Sequence, residues 1–218
     1  MDKTMELSNT IYSKIREQLR KDILFRRFEP GRRLKIAELT NLYNVSQMPI
    51  REALQQLQGE GLIIIEPHKG AYVRKVDREF VSNIYDIRRV IEVFLTQQSL
   101  RSITDKDIHQ LEKIQQYYER AVAKEDVGAL LNYNKQFHTA IYKLAHNEEA
   151  MRIIEGHWQL INGLRLSFSP KADRMKEIIQ EHRDILQALS ARDEALLTSA
   201  AVTHCLKAKA DLLGEMGD

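Results

Sequence analysis

The segment between Pro30 and Val73 constrains the fold of this chain most strongly, because two helical patterns and a strand pattern follow one another there with short breaks between them. Pro30 and the glycine after it form a turn signal. Apolar residues then recur at helical spacing, at Leu34, Ile36, Leu39 and Leu42. Asn44 interrupts this pattern, and its short polar side chain tolerates the left-handed backbone of a tight turn. The pattern therefore predicts a short helix that ends in a turn.

A second helix is predicted to begin at about Gln47. Ser46 fits an N-cap, whose hydroxyl accepts a hydrogen bond from a free amide of the first turn. Pro49 lies in that first turn, where its missing N–H is harmless. Apolar residues then follow the i, i+3, i+4, i+7 pattern, at Ile50, Ala53, Leu54 and Leu57. The polar side chains of this helix are left on its other faces, where they are free to meet DNA.

A β-hairpin is predicted after the second helix. Gly61 fits the position just beyond a helix end, where a left-handed backbone is common. The β-branched run 63–65 then leads through residues 67–70, Pro-His-Lys-Gly, into Tyr72 and Val73. An earlier helical stripe precedes the whole segment, at Ile11, Ile15, Leu19 and Ile23. Helices followed by a hairpin with a basic tip predict a winged helix-turn-helix, and DNA binding is the first hypothesis.

This segment resembles the N-terminal domain of the GntR family of transcription regulators. The residues that carry the likeness are Pro30-Gly31, Leu34, Leu39, Val45–Leu54, Leu57, Gly61-Leu62 and Pro67–Val73. In such a domain the start of the recognition helix enters the major groove, and the wing tip reaches the minor groove. The resemblance therefore implies recognition-helix contacts from Ser46, Gln47, Met48 and Arg51, and a wing tip formed by His68, Lys69 and Gly70.

Gln47 is a departure from the family pattern, which usually has Arg at this position. The forked guanidinium of Arg prefers guanine, whereas the amide of Gln prefers adenine. We therefore expect the operator preference at the base pair that Gln47 meets to differ from the usual one of the family.

Charge is distributed unevenly along the chain, although the formal net charge of all 218 residues is only +2. Residues 1–76 contain fourteen Lys and Arg against nine Asp and Glu, a formal charge of +5. Residues 77–218 contain nineteen against twenty-two, a formal charge of −3. This asymmetry is expected if only the first part meets phosphates. We therefore predict a winged helix-turn-helix domain at residues 1–76 and a second domain at residues 77–218.

Cysteine content and hydropathy indicate the cellular compartment. Cys205 is the only cysteine, so an intrachain disulfide is impossible and a reducing compartment is expected. The first ten residues lack the apolar core of a secretion signal, and no stretch approaches the roughly 20 apolar residues that span a bilayer. We expect a soluble, cytoplasmic protein with no membrane contact.

The second part of the chain has almost entirely helical periodicity, so the fold class is expected to be mainly α. Apolar residues mark six helices within Ile84–Leu95, Ile108–Tyr118, Leu130–Leu144, Met151–Leu164, Met175–Leu189 and Leu196–Leu213. The fourth is predicted to stop at the break Ser169-Pro170. Six such helices predict an all-helical bundle.

Four polar residues in the predicted bundle form a possible site. Asn134 and His138 are four residues apart, so both side chains can point at one ion or ligand. His182 and His204 lie on the last two helices, which a short turn near Arg192-Asp193 makes antiparallel neighbours. Imidazoles from facing helices commonly hold a divalent transition metal. Glu181 or another carboxylate could orient one of these rings.

The second part also resembles the FCD ligand-sensing domain of the FadR subfamily of GntR regulators. The likeness is carried by residues 134–138, the Glu181-His182 pair and His204. Members of this subfamily commonly hold a metal with an Asp four residues before a His and two further His. Arg88 and Glu92 match the Arg and Glu, four residues apart, of that domain.

Asn134 stands where the subfamily has the carboxylate, so the site loses one negative charge and metal affinity should fall unless a bound anion restores the charge. The resemblance implies Zn or Ni at Asn134, His138, His182 and His204, with open positions for water or an organic acid. Without metal, the same pocket could hold an anionic metabolite directly, with Arg88 or Arg165 as its cationic partner. Arg88 could instead form an ordinary helix pair with Glu92.

The sequence therefore predicts a ligand-responsive transcription regulator. In the family that it resembles, repression of transcription is commoner than activation. It is expected to bind a pseudo-palindromic operator in double-stranded DNA as a homodimer and to respond to a small anionic effector. The alternative is a metal-dependent enzyme that acts on a small organic acid in the bundle, with the N-terminal domain as an accessory. Against it, no motif here carries a placed general base such as that of a His-Glu-x-x-His helix.

Overall fold

The computed structural model describes residues 3–165 and 171–216. In chain order, its elements are α1 (Lys3–Leu24), β1 (Arg33–Leu34), α2 (Ile36–Tyr43), α3 (Gln47–Gly59), β2 (Ile63–Glu66), β3 (Gly70–Val73), α4 (Arg78–Ser99), α5 (Asp105–Ala123), α6 (Val127–Lys143), α7 (Glu148–Arg165), α8 (Ala172–Ala191) and α9 (Glu194–Glu215). The fold is mainly α, as predicted, with a small sheet in its N-terminal region and a helical bundle after it. The predicted break at Ser169-Pro170 lies outside the described residues.

The turn between α2 and α3 has the predicted backbone. Asn44 is left-handed, with φ 52° and ψ 51°, and its N–H donates to the carbonyl of Thr40. Helix α3 begins at Gln47 after an extended Ser46. The Ser46 hydroxyl makes no capping hydrogen bond, which corrects one detail of the prediction. The extended backbone of Ser46 sets the start of the helix, and its side chain is exposed at the end of α3.

The wing has one strand more than the predicted hairpin. Strands β2 and β3 pair antiparallel, with Ile63 opposite Val73. Strand β1 pairs with the other edge of β3, where Leu34 lies opposite Ala71, so the strand order is β1-β3-β2. A strand of two residues is too short to show an alternating hydrophobic pattern, and the sequence gives no signal for it.

The core of the N-terminal region holds the recognition helix in place. Helix α3 buries its predicted apolar stripe, Ile50, Ala53, Leu54 and Leu57. Arg20 of α1 reaches the end of α3, where its Nε donates to Oε2 of the buried Glu60 at 2.8 Å. This ion pair adds a directional contact to the apolar packing of α1 on α3.

Helices α4 to α9 form the predicted bundle. Helix α4 packs on α9, α5 packs on α6 and α8, and α8 packs on α9. The fully buried side chains of its main core include Leu95, Leu111, Phe137, Ile141, Ile154, Ala188, Leu189 and Leu197. A left-handed Arg192 ends α8, and the Asp193 carboxylate caps α9 by accepting from the amide of Leu196 at 2.9 Å. This two-residue turn makes α8 and α9 antiparallel neighbours, as expected.

The chain divides into two compact units between Asp77 and Arg78. The end of α7, from Gln159, belongs to the first unit, although the sequence-based division assigns it to the second domain. Hydrophobic periodicity continues along the whole of α7. It therefore does not indicate that the helix passes from one compact unit to the other after Trp158. Among the described residues, no helix combines the length and apolarity that crossing a membrane would require.

Candidate functional site

The exposed start of α3 carries the residues predicted to read DNA. Ser46, Gln47 and Met48 are all exposed, and Met48 keeps 66% of its surface accessible. Arg51 follows one turn later and is also exposed, whereas its neighbour Ile50 is fully buried. The structure therefore brings the four predicted residues to one end of one helix, where the free amides of a helix start also favour phosphate.

The predicted wing tip lies at the turn between β2 and β3, and its last residue, Gly70, begins β3. His68 and Lys69 are exposed, His68 has a left-handed backbone with φ 62°, and Gly70 has φ 105°. Lys69 Nζ lies 3.0 Å from an oxygen of Glu66. This exposed pair is a weak one, so the Lys69 ammonium can exchange the carboxylate for a DNA phosphate at small cost.

Three histidines from different helices meet inside the bundle. His138 of α6, His182 of α8 and His204 of α9 are all buried, and their nearest possible ligand atoms lie within 4.8 Å of one another. The ring of Phe137 stacks on that of His182 with a centroid distance of 4.3 Å. The three predicted imidazoles therefore form one cluster with an apolar side.

Each histidine ring is held through its Nδ1 atom. His182 Nδ1 lies 2.8 Å from Oε1 of Gln115, and His204 Nδ1 lies 2.7 Å from Oε2 of Glu181. His138 Nδ1 lies 3.3 Å from the hydroxyl of Tyr142. A partner at Nδ1 fixes the orientation of an imidazole and leaves the Nε2 lone pair for a metal.

Asn134 and two of the imidazoles present buried acceptors that no described residue satisfies. Asn134 Oδ1, His138 Nε2 and His182 Nε2 are buried and have no hydrogen-bond partner among the described residues. An orphaned buried polar atom costs about 1 to 3 kcal/mol. The rings of His138 and His182 have centroids 5.0 Å apart, so their two orphaned nitrogens indicate a shared ligand. A divalent transition metal suits this set of nitrogen and amide oxygen donors. On this observation the residues present fit a metal ion.

The buried environment keeps two of the three imidazoles, those of His138 and His182, neutral. Burial lowers the pKa of His138 and of His182 well below its ordinary value, and the nearby His204 lowers both further. A neutral imidazole is the form that binds metal. Burial opposes the ionisation of Glu181, but hydrogen bonds from His204 and Arg174 outweigh it and hold the pKa of its carboxyl at about 2.

Arg174 and Gln115 are site residues that the sequence reasoning missed. Arg174 donates to both oxygens of Glu181, at 2.5 Å from Nη1 and 3.1 Å from Nη2. Gln115 donates from Nε2 to Glu119 at 3.1 Å, so its carbonyl oxygen faces His182. Glu181 orients His204, the role that the sequence suggested without naming a partner. The Gln115 contact joins α5 to α8, and the Arg174 contact joins residues two turns apart on α8, so neither has a short sequence signal.

Arg88 and Glu92 form a buried pair one turn apart on α4. Arg88 donates to Glu92 Oε1 from Nη2 at 2.8 Å and from Nε at 3.1 Å, and each residue is 5% exposed. The Cys205 thiol lies 3.4 Å from the other oxygen of Glu92. The predicted helix pair is therefore present, and the pairing uses two of the three guanidinium nitrogens.

Arg165 is the other cation predicted to meet an effector. It is the last residue of α7, is partly exposed and falls in the first compact unit, whereas the histidine cluster draws only on the second. Its role in effector binding stays a prediction.

Two segments of the chain match known protein families. Residues 11–73 match the family described as bacterial regulatory proteins, gntR family, and residues 83–207 match the FCD domain. The HTH-type transcriptional repressor RspR of Escherichia coli (strain K12) is 28% identical over 186 residues, which cover 85% of this chain and 82% of RspR.

Solved structures share the fold. The structure of E. coli McbR/YncC has a TM-score of 0.71 at 22% identity and covers 93% of this chain and 96% of its own. The structure of Lar, which controls the expression of the Listeria monocytogenes agr system, has a TM-score of 0.75 at 15% identity. The match covers 92% of this chain and 95% of the Lar chain. At these identities the likeness establishes the architecture and nothing finer.

Proposed function

Because this chain belongs to the GntR family of bacterial regulatory proteins and carries an FCD domain, we propose that it is a transcriptional repressor whose binding to operator DNA is controlled by a small carboxylate effector. The effector binds in the bundle, at a metal held by Asn134, His138, His182 and His204. The regulator acts in the cytoplasm, as a homodimer on a pseudo-palindromic operator. The similarity to RspR, a transcriptional repressor, supports repression of transcription as the effect of operator binding.

The histidine cluster supports this proposal most strongly. Three imidazoles have their Nδ1 atoms held by Tyr142, Gln115 and Glu181. Asn134, whose Oδ1 is buried and without a described partner, lies one turn before His138 on α6. This arrangement costs stability in a protein without a ligand and is repaid when a cation accepts the free lone pairs. When bound, the metal supplies a positive centre that attracts the carboxylate of an effector.

The neutral donor set predicts how metal and effector depend on one another. Three imidazoles and the Asn134 amide bring no charge, and Glu181 is already neutralised by Arg174. Zn and Ni are the favoured metals, since both accept imidazole nitrogen readily. The charge of the divalent ion remains uncompensated until an anion binds, so each ligand should raise the affinity of the other, as linkage requires.

The outward face of α4 supports a dimer formed through the bundle. Its large apolar side chains stay exposed at Ile87 (48%), Val90 (64%) and Phe94 (42%). Their spacing is nearly symmetric about Val90, so an antiparallel pair of α4 helices would place Ile87 of each protomer against Phe94 of the other. A two-fold interface needs this self-complementarity. A dimer would present two recognition helices to two operator half-sites.

The enzyme alternative loses support from the family assignment. The relatives are transcription regulators, and the family is one of regulatory proteins. The acids within the described cluster are engaged, since Glu181 is paired with Arg174 and His204. We therefore assign the cluster to sensing.

Native mass spectrometry of untagged protein tests the sensing site. We expect a dimer with one Zn or Ni per chain, and we expect His182→Ala to remove the metal. His109→Ala is the matched control, because His109 is exposed and its Nδ1 contacts only the carbonyl of Asp105 in the described structure. A dimer that stays free of metal in excess Zn and Ni would refute the metal half of the proposal.

Fluorescence anisotropy with DNA selected from a random library tests the DNA-binding half. We expect Arg51→Ala to weaken binding by about tenfold or more, through a lost base or phosphate contact. Arg101→Ala is the charge-matched control, since Arg101 is exposed in the bundle. Equal losses in both variants would mean that Arg51 contributes only net charge.

A further inference from the structure

Beside the histidine cluster lie two buried hydrogen-bond donors that no described residue uses. Arg88 Nη1 and Trp158 Nε1 are both buried and have no acceptor among the described residues. Each of the two side chains is 5% exposed. Indole N–H and guanidinium N–H groups only donate, so neither can satisfy the other.

The two donors belong to one stack next to His138. Arg88 Cζ lies 4.5 Å from the centroid of the Trp158 ring, and that ring lies 5.5 Å from the ring of His138. Glu92 Oε1 already accepts hydrogen bonds from Arg88 Nε and Nη2. The guanidinium of Arg88 covers one face of the Trp158 ring. Two N–H donors are therefore left for a further ligand, at Arg88 Nη1 and at Trp158 Nε1.

The unmet donors and the unmet acceptors of the cluster are complementary in chemistry. Asn134 Oδ1, His138 Nε2 and His182 Nε2 lack a donor or cation, whereas Arg88 Nη1 and Trp158 Nε1 lack an acceptor among the described residues. A small carboxylic acid at a metal would present acceptor oxygens, whereas a cationic or purely apolar ligand would leave both donors orphaned.

We propose that Trp158, together with Arg88, forms the carboxylate-binding part of the effector site, and that the indole N–H selects for an oxyanion. This inference deepens the proposed function and rests on it for the metal. The donors bind the carboxylate oxygens, and the neighbouring buried rings of Trp158 and His138 exclude water, which strengthens each hydrogen bond.

Trp158→Phe tests the inference with little disturbance of the packing. Phenylalanine keeps an aromatic ring beneath Arg88 and removes the N–H. Acetate, succinate and citrate are titrated by calorimetry into zinc-loaded protein. One of these carboxylates is expected to bind the native protein. We expect Trp158→Phe to lower the affinity for that carboxylate by about tenfold or more and to leave the affinity for zinc unchanged. Tyr117→Phe, which removes an exposed hydroxyl from the same bundle, should change neither.

The native protein offers an independent readout, because Trp158 is its only tryptophan. Binding of the carboxylate should change the intensity or wavelength of its fluorescence in the same concentration range as the calorimetric signal. Equal carboxylate affinity in the native protein and in Trp158→Phe would overturn the inference and leave the proposed function standing. No binding of any of the three acids to the native protein would also overturn it. Fluorescence-detected carboxylate binding without zinc uptake would instead overturn the metal half of the proposed function and keep the subsite.

Discussion

Replacing Glu181 by Gln should destabilise the metal-free protein by about 2 to 3 kcal/mol. Glu181 accepts two hydrogen bonds from Arg174 and one from His204, and its side chain is 5% exposed. Its carboxyl has a pKa of about 2 instead of 4.5, a difference that corresponds to at most about 3 to 4 kcal/mol. Removal of one partner from a buried ion pair costs about 3 to 5 kcal/mol, and the retained amide oxygen of Gln places this variant at the lower end.

The assay is urea denaturation at neutral pH in the presence of a chelator, followed by circular dichroism. Glu177→Gln is the matched control, because Glu177 also contacts Arg174, at 3.0 Å, but its side chain is 56% exposed. The control should lose less than about 1 kcal/mol. The reasoning is refuted if the two variants unfold at the same urea concentration, since burial is the difference between them.

The same pair predicts a dependence on pH with a definite sign. The folded pKa of Glu181 is lowered, so its contribution is complete above the unfolded value of about 4.5 and is lost as the pH falls toward about 2. The stability difference between the native protein and Glu181→Gln should therefore shrink through this window. A difference that is the same at pH 6 and at pH 3 would contradict the assignment of the ion pair.

Three further predictions concern the site and the wing. Gln115→Leu should weaken zinc binding by about 10-fold to 100-fold in a competition titration, because His182 loses the acceptor that orients its ring; Gln110→Leu, at an exposed position of the same helix, should not. Asn134→Asp should tighten zinc binding by at least about tenfold and weaken the dependence on added carboxylate, since it supplies the missing charge; unchanged zinc affinity would place Asn134 outside the ligand set. Gly70→Ala should lower the thermal midpoint by several degrees, about 1 kcal/mol, because residue 70 has φ 105°; a midpoint equal to that of the native protein would show that the wing tolerates the strain.

Local chemistry made much of the N-terminal fold predictable. The left-handed turn at Asn44 and the start of α3 at Gln47 follow from residues within a few positions of each other, and both predictions are confirmed. The pairing of β1 with β3 was not predictable, because a strand of two residues is specified by its partner. The unused hydroxyl of Ser46 shows that a residue suited to a cap need not use its side chain as one.

In the bundle, sequence spacing indicated which side chains come together but not what holds them. His138, His182 and His204 were predicted from a family resemblance and from helical spacing, and the structure brings them together. Gln115 reaches His182 only because α5 packs on α8, and no short pattern encodes that packing. Arg174 pairs with Glu181 two turns along the same helix, a spacing that does not by itself indicate an ion pair. Trp158 was interpreted only as an apolar position of a helix, because periodicity describes its ring and says nothing of its N–H.

Operator binding measured as a function of both zinc and carboxylate tests the central claim most directly. Anisotropy of labelled operator should show that zinc and carboxylate together change the affinity of the native protein by about 5-fold to 150-fold. His182→Ala should bind the same DNA and show no such response. An operator affinity that stays constant in the native protein, with or without zinc and with every acid tested, would contradict the assignment of the histidine cluster as the sensor.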